Sequence, residues 1–241
     1  MFTGPYGVSE DGTYSEWIAV RDEDLRLIPE NIDDATAGGI PVAYLTAQLT
    51  LTQAGFEPGK TVLAPAIGGA VGNAVTQLAR AQGAGKAIST TTNPTKAKQA
   101  RALGFDDVID LTAESLADGV ARITAGRGVD VVIDSVGGAL TGQALATLAP
   151  DGVLTSLGYS AGRKTTVDVT DLIWKGARMS GFRLFAQSQA IKAAAWATIL
   201  SLLTSGRVKP IVERTYKLDT AAEALRHLIE DRPFGRVVLM P

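Results

Sequence analysis

The sequence of 241 residues contains no cysteine and only one histidine, His227. The absence of cysteine excludes disulfide bonds, thiolate metal ligands and a cysteine nucleophile. With one imidazole and no thiol, a zinc site of the usual His and Cys type is excluded as well. We therefore expect that no bound metal takes part in the chemistry of this chain.

Long apolar runs and targeting signals are also lacking. The longest candidate, residues 193–203, is too short to cross a bilayer and is followed by Thr-Ser-Gly. The N-terminus has neither the basic start nor the apolar middle of a secretory signal. No basic run interleaved with aromatic residues occurs, so nucleic acid is not an expected partner. These absences predict a soluble, cytoplasmic protein that binds neither membranes nor nucleic acid.

Basic residues are scarce at the N-terminus and in excess afterwards. Residues 1–40 carry nine acidic and two basic side chains, whereas the remainder carries 16 acidic and 21 basic ones. This asymmetry reflects ordinary surface variation, or it indicates that the larger part of the chain meets an anionic ligand. Composition alone leaves both interpretations open.

Hydrophobic residues make up 46% of the chain, enough for one large or two small globular domains with a core. Between residues 61 and 183, short and mostly apolar strands alternate with helices. This alternation predicts an α/β fold with a doubly wound parallel sheet. The predicted strands are residues 61–66, 86–91, 107–111, 129–134, 152–157 and 177–183, and the predicted helices between them are residues 70–82, 94–103, 113–125 and 139–148.

The flanking regions follow a different pattern. Residues 13–20 alternate between polar and apolar side chains as a strand does, and residues 33–55 are predicted to be helical with a break at Pro41. We expect the C-terminal block to pack on the first 30 residues as a small second unit. Its predicted elements are helices at residues 188–205 and 219–230 and a closing strand, RVVLM.

The turn after the first predicted strand contains glycines at positions 68, 69 and 72. A full G-x-G-x-x-G motif would place its first glycine at position 67, where this chain has isoleucine, so the match is partial. The turn is either a glycine-assisted junction between strand and helix or a cradle for a nucleotide diphosphate. Its place between the first strand and the first helix favours the cradle.

The end of the second predicted strand bears on the choice of nucleotide. An acidic residue there would bind the ribose 2′-hydroxyl of NAD, but the sequence Ser89–Lys96 (STTTNPTK) contains none. Hydroxyl groups and a lysine suit a 2′-phosphate, which favours NADP(H) over NAD(H). The alternative for Lys96 is a solvated residue in the first turn of a helix.

The chain resembles the zinc-independent quinone oxidoreductase branch, the zeta-crystallin-like branch, of the medium-chain dehydrogenase/reductase superfamily. The resemblance is collinear from residue 12 to the end of the chain. It rests on GTYSEW at 12–17, LTA at 45–47, GKTVL at 59–63, A-x-x-G-x-x-G at 66–72, DVVIDSVGG at 130–138 and GRVVL at 235–239.

This resemblance implies a Rossmann-type sheet with remnants of a GroES-like catalytic domain. The implied domains are a remnant of the catalytic domain at 1–32, an NADP-binding domain at 33–206 and a segment at 207–241 that returns to the catalytic domain. The implied activity is the zinc-independent reduction of quinones or activated enones and alkenals by hydride transfer from NADPH. The implied assembly is a homodimer joined through residues 177–183.

The resemblance also implies which residues contact the cofactor. The pyrophosphate turn would comprise Gly69, Ala70, Val71 and Gly72, and the adenosine-phosphate region Thr91, Thr92 and Lys96. Two crevice loops would supply Val136, Gly137, Leu157, Gly158 and Tyr159, and the nicotinamide end Thr46, Phe182 and Arg183, with Arg236 in place of a commoner lysine. Tyr159 is the candidate catalytic residue, as a proton donor or substrate contact, although it could also only pack at the crevice. Gly137, Gly138 and Gly158 could instead only shape turns.

One departure from the family pattern is that most of the N-terminal catalytic domain is absent from this sequence. We therefore expect unpaired strand edges at residues 13–20 and 235–240, which would pair with each other or with another chain. An alternative function follows: a truncated dinucleotide-binding module that binds NADPH with little or no turnover.

Two further enzyme classes are considered from short motifs. Gly158–Gly162 spells G-x-S-x-G, with Asp219 and His227 following in hydrolase order. A nucleophile elbow must run straight into a helix, however, and the β-branched residues 163–169 indicate an extended segment. A short-chain dehydrogenase would require lysine four residues after Tyr159, where this chain has Arg163.

Overall fold

The computed structural model describes residues 1–241, which form eight β-strands and nine α-helices. The strands are β1 (Thr61–Ala64), β2 (Lys86–Thr91), β3 (Val108–Asp110), β4 (Val129–Asp134), β5 (Leu148–Ser156), β6 (Arg178–Gly181), β7 (Val212–Lys217) and β8 (Arg236–Met240). The helices are α1 (Asp34–Gly39), α2 (Pro41–Gln53), α3 (Ala70–Ala81), α4 (Pro94–Ala102), α5 (Leu116–Thr124), α6 (Ala139–Ala146), α7 (Val169–Lys175), α8 (Gln189–Thr204) and α9 (Ala221–Glu230). None of these helices combines the length and apolarity needed to cross a lipid bilayer.

Two compact units make up the chain, Ala47–Arg183 and a second unit of Met1–Thr46 with Leu184–Pro241. One unit boundary falls inside α2. The second unit joins the N-terminal segment to the C-terminal block, as expected from the sequence. The predicted domains, with boundaries after residues 32 and 206, divide the chain differently from these two units, and that division stays a prediction.

The unit Ala47–Arg183 is organised by a six-stranded sheet in the order β3-β2-β1-β4-β5-β6, with every pair parallel. All four residues of β1 are buried, as expected for the central strand of a parallel sheet covered on both faces. The strand order reverses between β1 and β4. This is the doubly wound topology predicted from the sequence, and its ligand-binding crevice is expected at the carboxyl ends of the strands beside this reversal.

The core of this unit is formed by the inward side chains of the sheet and its helices. Leu63, Ile88, Val132 and Leu154 from four different strands are fully buried in one cluster. Each such side chain contributes about 2 kcal/mol relative to its exposed state. This cluster fixes the register of the strands, and with it the positions of the loops at their ends.

The six strands and four helices predicted between residues 61 and 183 are confirmed, with two differences. β5 begins at Leu148 rather than at residue 152. The strand includes Asp151, although this residue has a φ of 60°. The preceding helix α6 therefore ends at Ala146. Helix α7 was not predicted; its ends are set by an N-cap at Asp168 and by Gly176 with a φ of 59°.

The second unit contains a two-stranded parallel sheet of β7 and β8, connected through α9. The predicted strand at residues 13–20 is wrong, because no other strand pairs with this segment and Trp17 is 89% exposed. The unpaired edge predicted at residues 235–240 is present on one side of β8, because β8 pairs with β7 along one edge and has no partner strand on the other. The predicted helices α8 and α9 are confirmed, as is the division of residues 33–55 at Pro41.

His227 connects α9 to β7 and makes the stability of this unit dependent on pH. Its Nε2 lies 2.8 Å from Glu213 Oε2, and its Nδ1 lies 2.7 Å from Asp231 Oδ2. The hydrogen bonds to Glu213 and then to Asp231 raise the pKa of His227 above its ordinary value. A raised folded-state pKa stabilises the fold fully below the unfolded pKa of about 6.5, and this stabilisation is lost as the pH rises through the folded pKa.

We therefore expect the Tm of the protein to fall, relative to that of a His227→Gln variant, as the pH is raised from about 6 to 9. Circular dichroism melts of both proteins over this range test the expectation. Parallel pH profiles for the two proteins would show that the two carboxylates do not stabilise the imidazolium.

Candidate functional site

The turn between β1 and α3 is held in an uncommon backbone conformation. Ala66 has a φ of 67°, in the left-handed region that non-glycine residues seldom adopt. The turn is fixed to β2 by two hydrogen bonds that end on Thr90: Ile67 N donates to its carbonyl oxygen at 2.9 Å, and Ala66 N donates to its hydroxyl at 3.2 Å. Strain at a turn that several bonds over-determine is typical of ligand sites.

The N-terminus of α3 follows this turn and has no side-chain cap. Its N-cap, Gly69, has no side chain to accept from the first turn. The amides of Ala70, Val71 and Gly72 therefore have no partner from a cap or from the helix itself. With the dipole of a 12-residue helix behind them, these amides form a site for an anion.

Gly72 allows the turn to lie against the helix. A Cβ atom at this position would overlap the carbonyl oxygens of Pro65 and Ala66, both of which belong to the backbone and cannot move aside freely. Asn73, which the sequence analysis did not single out, fixes the same turn by donating from Nδ2 to Ile67 O at 3.1 Å. The four predicted diphosphate residues, Gly69–Gly72, are thus together in the first turn of α3, in a geometry that fits a diphosphate.

Hydroxyl groups and a lysine are gathered at the carboxyl end of β2. Thr91 is buried, and its Oγ1 accepts from Asn93 N at 3.2 Å. Asn93 is the N-cap of α4, and its Oδ1 accepts from the amides of Thr95 at 2.9 Å and Lys96 at 3.2 Å. The neighbouring acid on β3, Asp110, is engaged by the amide and hydroxyl of Thr112. Thr91, Thr92 and Lys96 therefore lie at the end of β2 and the start of α4, and their contact with a 2′-phosphate stays a prediction.

Asp134, at the end of β4, shapes the loop that follows this strand. Its carboxylate is fully buried, and Oδ1 accepts from the amides of Val136 and Gly137, both at 2.9 Å. Its Oδ2 accepts from the Thr141 hydroxyl. Asp134 was noted only as part of a motif, and the three groups that it organises are visible only in the structure.

The loops after β4 and β5 are joined to each other by backbone contacts. Ala161 N donates to Val136 O at 2.9 Å, and Gly138 N donates to Gly162 O at 3.0 Å. A Cβ atom on Gly158 would overlap the Ser135 backbone, and Gly137 has a φ of 77°. These glycines do shape the turns, which was the alternative to cofactor contact. Contact between their backbones and a cofactor stays a prediction.

A cavity of about 500 Å³ opens beside these two loops. Its volume lies in the range of small-molecule sites. Tyr159 at its rim is 72% exposed, and its hydroxyl has no hydrogen-bond partner in the protein. The lining residues are Gly137, Gly138, Thr141, Ser156, Leu157, Gly158, Tyr159, Gly162, Arg163, Lys164, Thr165, Met179, Gly181, Phe182 and Arg183.

The cavity brings together six of the predicted site residues: Gly137, Leu157, Gly158, Tyr159, Phe182 and Arg183. The residues at the ends of β1 and β2 lie along the same edge of the sheet but do not line it. Thr141, Lys164, Thr165 and Met179 were not predicted as site residues, because no local motif marks them. Arg163 was noted only because it occupies the position of the short-chain dehydrogenase lysine.

Thr46 and Arg236, also predicted to contact the cofactor, belong to the second unit. Arg236 packs against Gly39, and its Nε is buried without a hydrogen-bond partner. Burial lowers the pKa of Arg236. A desolvated guanidinium without a counter-ion is costly, and an anionic ligand would offset that cost.

The hydrolase interpretation is not supported by the geometry. Ser160 lies in an exposed loop, its Oγ is 3.4 Å from Val136 O, and no helix follows it before α7. His227 is bonded to Glu213 and Asp231 rather than to Asp219. No three His, Cys, Asp or Glu side chains are arranged to hold a metal ion.

Comparison with known proteins gives one family and several relatives. The zinc-binding dehydrogenase family matches residues 70–203. Quinone oxidoreductase-like protein 2 of Rattus norvegicus is 30% identical over 237 residues, which cover 97% of this chain and 68% of the relative. A quinone oxidoreductase of Pseudomonas aeruginosa is 31% identical over 240 residues, which cover 98% of this chain and 74% of the relative.

Solved structures show the same fold. A mycobacterial protein complexed with NADPH has a TM-score of 0.84 at 29% identity, covering 95% of this chain and 72% of that one. An NAD-dependent alcohol dehydrogenase has a TM-score of 0.82 at 30% identity, covering 96% of this chain and 66% of that one. The chain thus spans about two thirds to three quarters of the length of these proteins.

Proposed function

Because the chain belongs to the zinc-binding dehydrogenase family, in the quinone oxidoreductase branch of the medium-chain dehydrogenase/reductase superfamily, we propose that it reduces quinones or activated enones and alkenals with NADPH. The observation that carries this proposal is the uncapped first turn of α3, where three amides have no partner from a cap or from the helix, beside a turn strained at Ala66. This arrangement suits a diphosphate, and it lies at the strand reversal where dinucleotides bind in such sheets.

The residues after β2 support NADPH as the preferred nucleotide. Thr91, Thr92 and Lys96 offer hydroxyl groups and a positive charge to a 2′-phosphate, and Asp110 on the neighbouring strand is already engaged by Thr112. One solved relative is complexed with NADPH and another is NAD-dependent. Nucleotide preference is therefore the property that most needs a direct test.

When bound, NADPH supplies a hydride to the electrophilic carbon of the substrate, and a proton completes the reduction. The chain orients the nucleotide through the α3 turn and through the paired loops after β4 and β5. Tyr159, with a free hydroxyl at the rim of the cavity, is placed to donate a hydrogen bond or a proton to the substrate oxygen. The desolvated guanidinium of Arg236 supports a further contact with an anionic ligand.

Zinc, to which the family description refers, does not fit the residues of this chain. Cysteine is absent, and both ring nitrogens of His227 are bonded to carboxylates. The proposed reaction therefore has no zinc-dependent step.

A binding module with little turnover is the second candidate, because the chain spans only part of each relative's length. We also propose a homodimer joined through β6, which is the free edge of the six-stranded sheet and is exposed at all four residues. Sedimentation velocity tests the assembly, and NADPH oxidation with a simple quinone beside NADPH binding separates the enzyme from the module.

Replacing Lys96 with glutamine should raise the Kd for NADPH about ten-fold and leave that for NADH nearly unchanged, because only NADPH carries the 2′-phosphate. Lys98→Gln, on the same helix, is the matched control and should bind both nucleotides as the parent protein does. Titration of the parent protein and both variants with each nucleotide gives four ratios of Kd, variant to parent. Equal weakening of NADPH and NADH, or a parent protein that prefers NADH, would contradict the assignment of the 2′-phosphate to this region.

A further inference from the structure

The cavity beside the loops after β4 and β5 is lined by positively charged side chains that have no role in the proposed function. Three of its lining residues are cationic, Arg163, Lys164 and Arg183, and none is acidic. The carboxylate of Asp134 is bonded to Thr141, which lines the cavity, but it is buried and also accepts from two amides. The cavity is therefore a basic site.

The segment that carries Arg163 and Lys164 is fixed on both sides. On one side, Gly162 O accepts from Gly138 N at 3.0 Å. On the other, Thr165 Oγ1 accepts from Gly142 N at 3.0 Å, and Gly142 approaches the Thr166 carbonyl so closely that a Cβ atom would overlap it. The backbone that carries these two exposed cations is thus held at the cavity by contacts with α6 and the loop before it.

Neither of these two side chains has a partner in the protein. Arg163 and Lys164 form no ion pair and no side-chain hydrogen bond. Two other arginines of the same unit are paired with carboxylates, Arg122 with Glu114 and Arg127 with Asp130. The charge of Arg163 and Lys164 is therefore available to a ligand.

The phosphates of the proposed nucleotide do not account for these cations. The diphosphate site follows β1, and the 2′-phosphate region follows β2, whereas Arg163 and Lys164 follow β5. Three strand spacings separate β2 from β5, or about 14 Å. The cations lie at the end of the sheet where the substrate, rather than the adenosine, is expected.

The remaining lining is partly apolar. Leu157, Met179 and Phe182 contribute hydrocarbon surface to the same cavity. An apolar wall beside fixed cations suits a molecule with a hydrocarbon body and an oxyanion.

We propose that the natural substrate is an anionic electrophile, an enone or related unsaturated carbonyl compound that bears a carboxylate or phosphate group bound by Arg163 and Lys164. This inference rests on the proposed function for the reaction, but the anion site is defined by the cavity alone. Arg183 lies at the same cavity and adds to its positive potential.

Substrate pairs that differ in charge and little in reactivity test the proposal. For the carboxylate, 4-carboxybenzalacetone is compared with its methyl ester. For the phosphate, the 4-phosphonooxy compound is compared with 4-methoxybenzalacetone. We expect kcat/KM with NADPH to be about ten-fold higher for the charged member of one pair at low salt, with the difference shrinking at high salt. The pair with the larger ratio of kcat/KM, charged member to uncharged member, shows whether the site binds a carboxylate or a phosphate.

The variant Arg163→Gln/Lys164→Gln should bring this ratio close to one, and Arg163→Lys should retain most of it. The control, Lys217→Gln/Arg226→Gln, removes two exposed, unpaired cations of the second unit and should keep the parent ratio. A parent protein that treats both members of each pair alike, or a double variant that keeps the preference, would overturn the proposal.

Calorimetric titration distinguishes a failure of the proposed reductase activity from a failure of the proposed anion site. If no compound is reduced, the proposed function fails, and binding of the same pairs to the NADPH-saturated protein still decides the anion site. Tighter binding of the charged member, lost in the double variant, would support the site. Equal binding of both members would reject it.

Discussion

Replacing Gly72 with alanine should abolish tight binding of NADPH and lower the stability of the protein. We expect the Kd for NADPH to rise about 100-fold, as the loss of about three hydrogen bonds at about 1 kcal/mol each would cause. The free energy of unfolding should fall by about 3 kcal/mol, the upper part of the range for overpacking. Fluorescence titration with NADPH and urea denaturation measure the two effects.

The physical reason is the contact between the first turn of α3 and the strained turn before it. The new methyl group would overlap the carbonyl oxygens of Pro65 and Ala66, so the turn must move away from the helix. That turn is also tied to Thr90 on β2, which prevents it from shifting without breaking hydrogen bonds. The amides of residues 70–72 would then lose their common orientation.

Gly38→Ala is the matched control for this prediction. Gly38 is also helical, and a Cβ atom there would meet only the Val238 side chain at an ordinary distance of 3.4 Å. The substitution should be neutral or slightly stabilising, because alanine is the better helix former. An NADPH affinity of Gly72→Ala equal to that of Gly38→Ala would show that the α3 turn does not bind the diphosphate.

Replacing Asp134 with alanine should destabilise the protein by about 3 kcal/mol, because the partly buried amide of Val136 and the buried amide of Gly137 both lose their acceptor. The Thr141 hydroxyl would lose its partner as well. The loop that these bonds shape lines the cavity through Gly137, so NADPH affinity should fall together with stability. Urea denaturation and NADPH titration of the same variant report the two losses.

Two milder substitutions separate the contributions to this cluster. Asp134→Asn keeps an acceptor for the two amides and should cost about 1 kcal/mol, and Thr141→Val should cost about the same. In the double-mutant cycle, Asp134→Ala with Thr141→Val should lose less than the sum of the single losses, since the two side chains share one bond. Strict additivity, or an Asp134→Ala variant as stable as the parent, would contradict the role assigned to this carboxylate.

Most of the six-stranded sheet could be predicted from the sequence because its strands are short apolar runs separated by turn residues. The strand proposed at residues 13–20 shows the limit of this approach. Alternation along TYSEWIAV satisfies the local pattern, but a strand also needs a neighbour to complete its hydrogen bonds, and the sequence does not show whether one exists. Helix α7 was missed for the opposite reason, since its seven residues are too few for a clear helical period.

The candidate site was predictable where its residues are adjacent in sequence. Gly69–Gly72 form one turn, and the absence of an acid between Ser89 and Lys96 can be read directly. Asp134 bonds Val136, Gly137 and Thr141 within seven residues, but no motif marks that arrangement. The fixing of the Arg163 and Lys164 segment by Gly142 and Thr165 joins residues 23 positions apart. Such contacts depend on the packing of loops and have no local sequence signal.

Backbone amide NMR of the protein titrated with NADPH tests the central claim most directly. If the uncapped first turn of α3 binds the diphosphate, the amides of Ala70, Val71 and Gly72 should show some of the largest chemical-shift changes. These changes should saturate with a single Kd. Unchanged amides at these three positions while the nucleotide binds elsewhere, or no change anywhere at millimolar NADPH, would contradict the account.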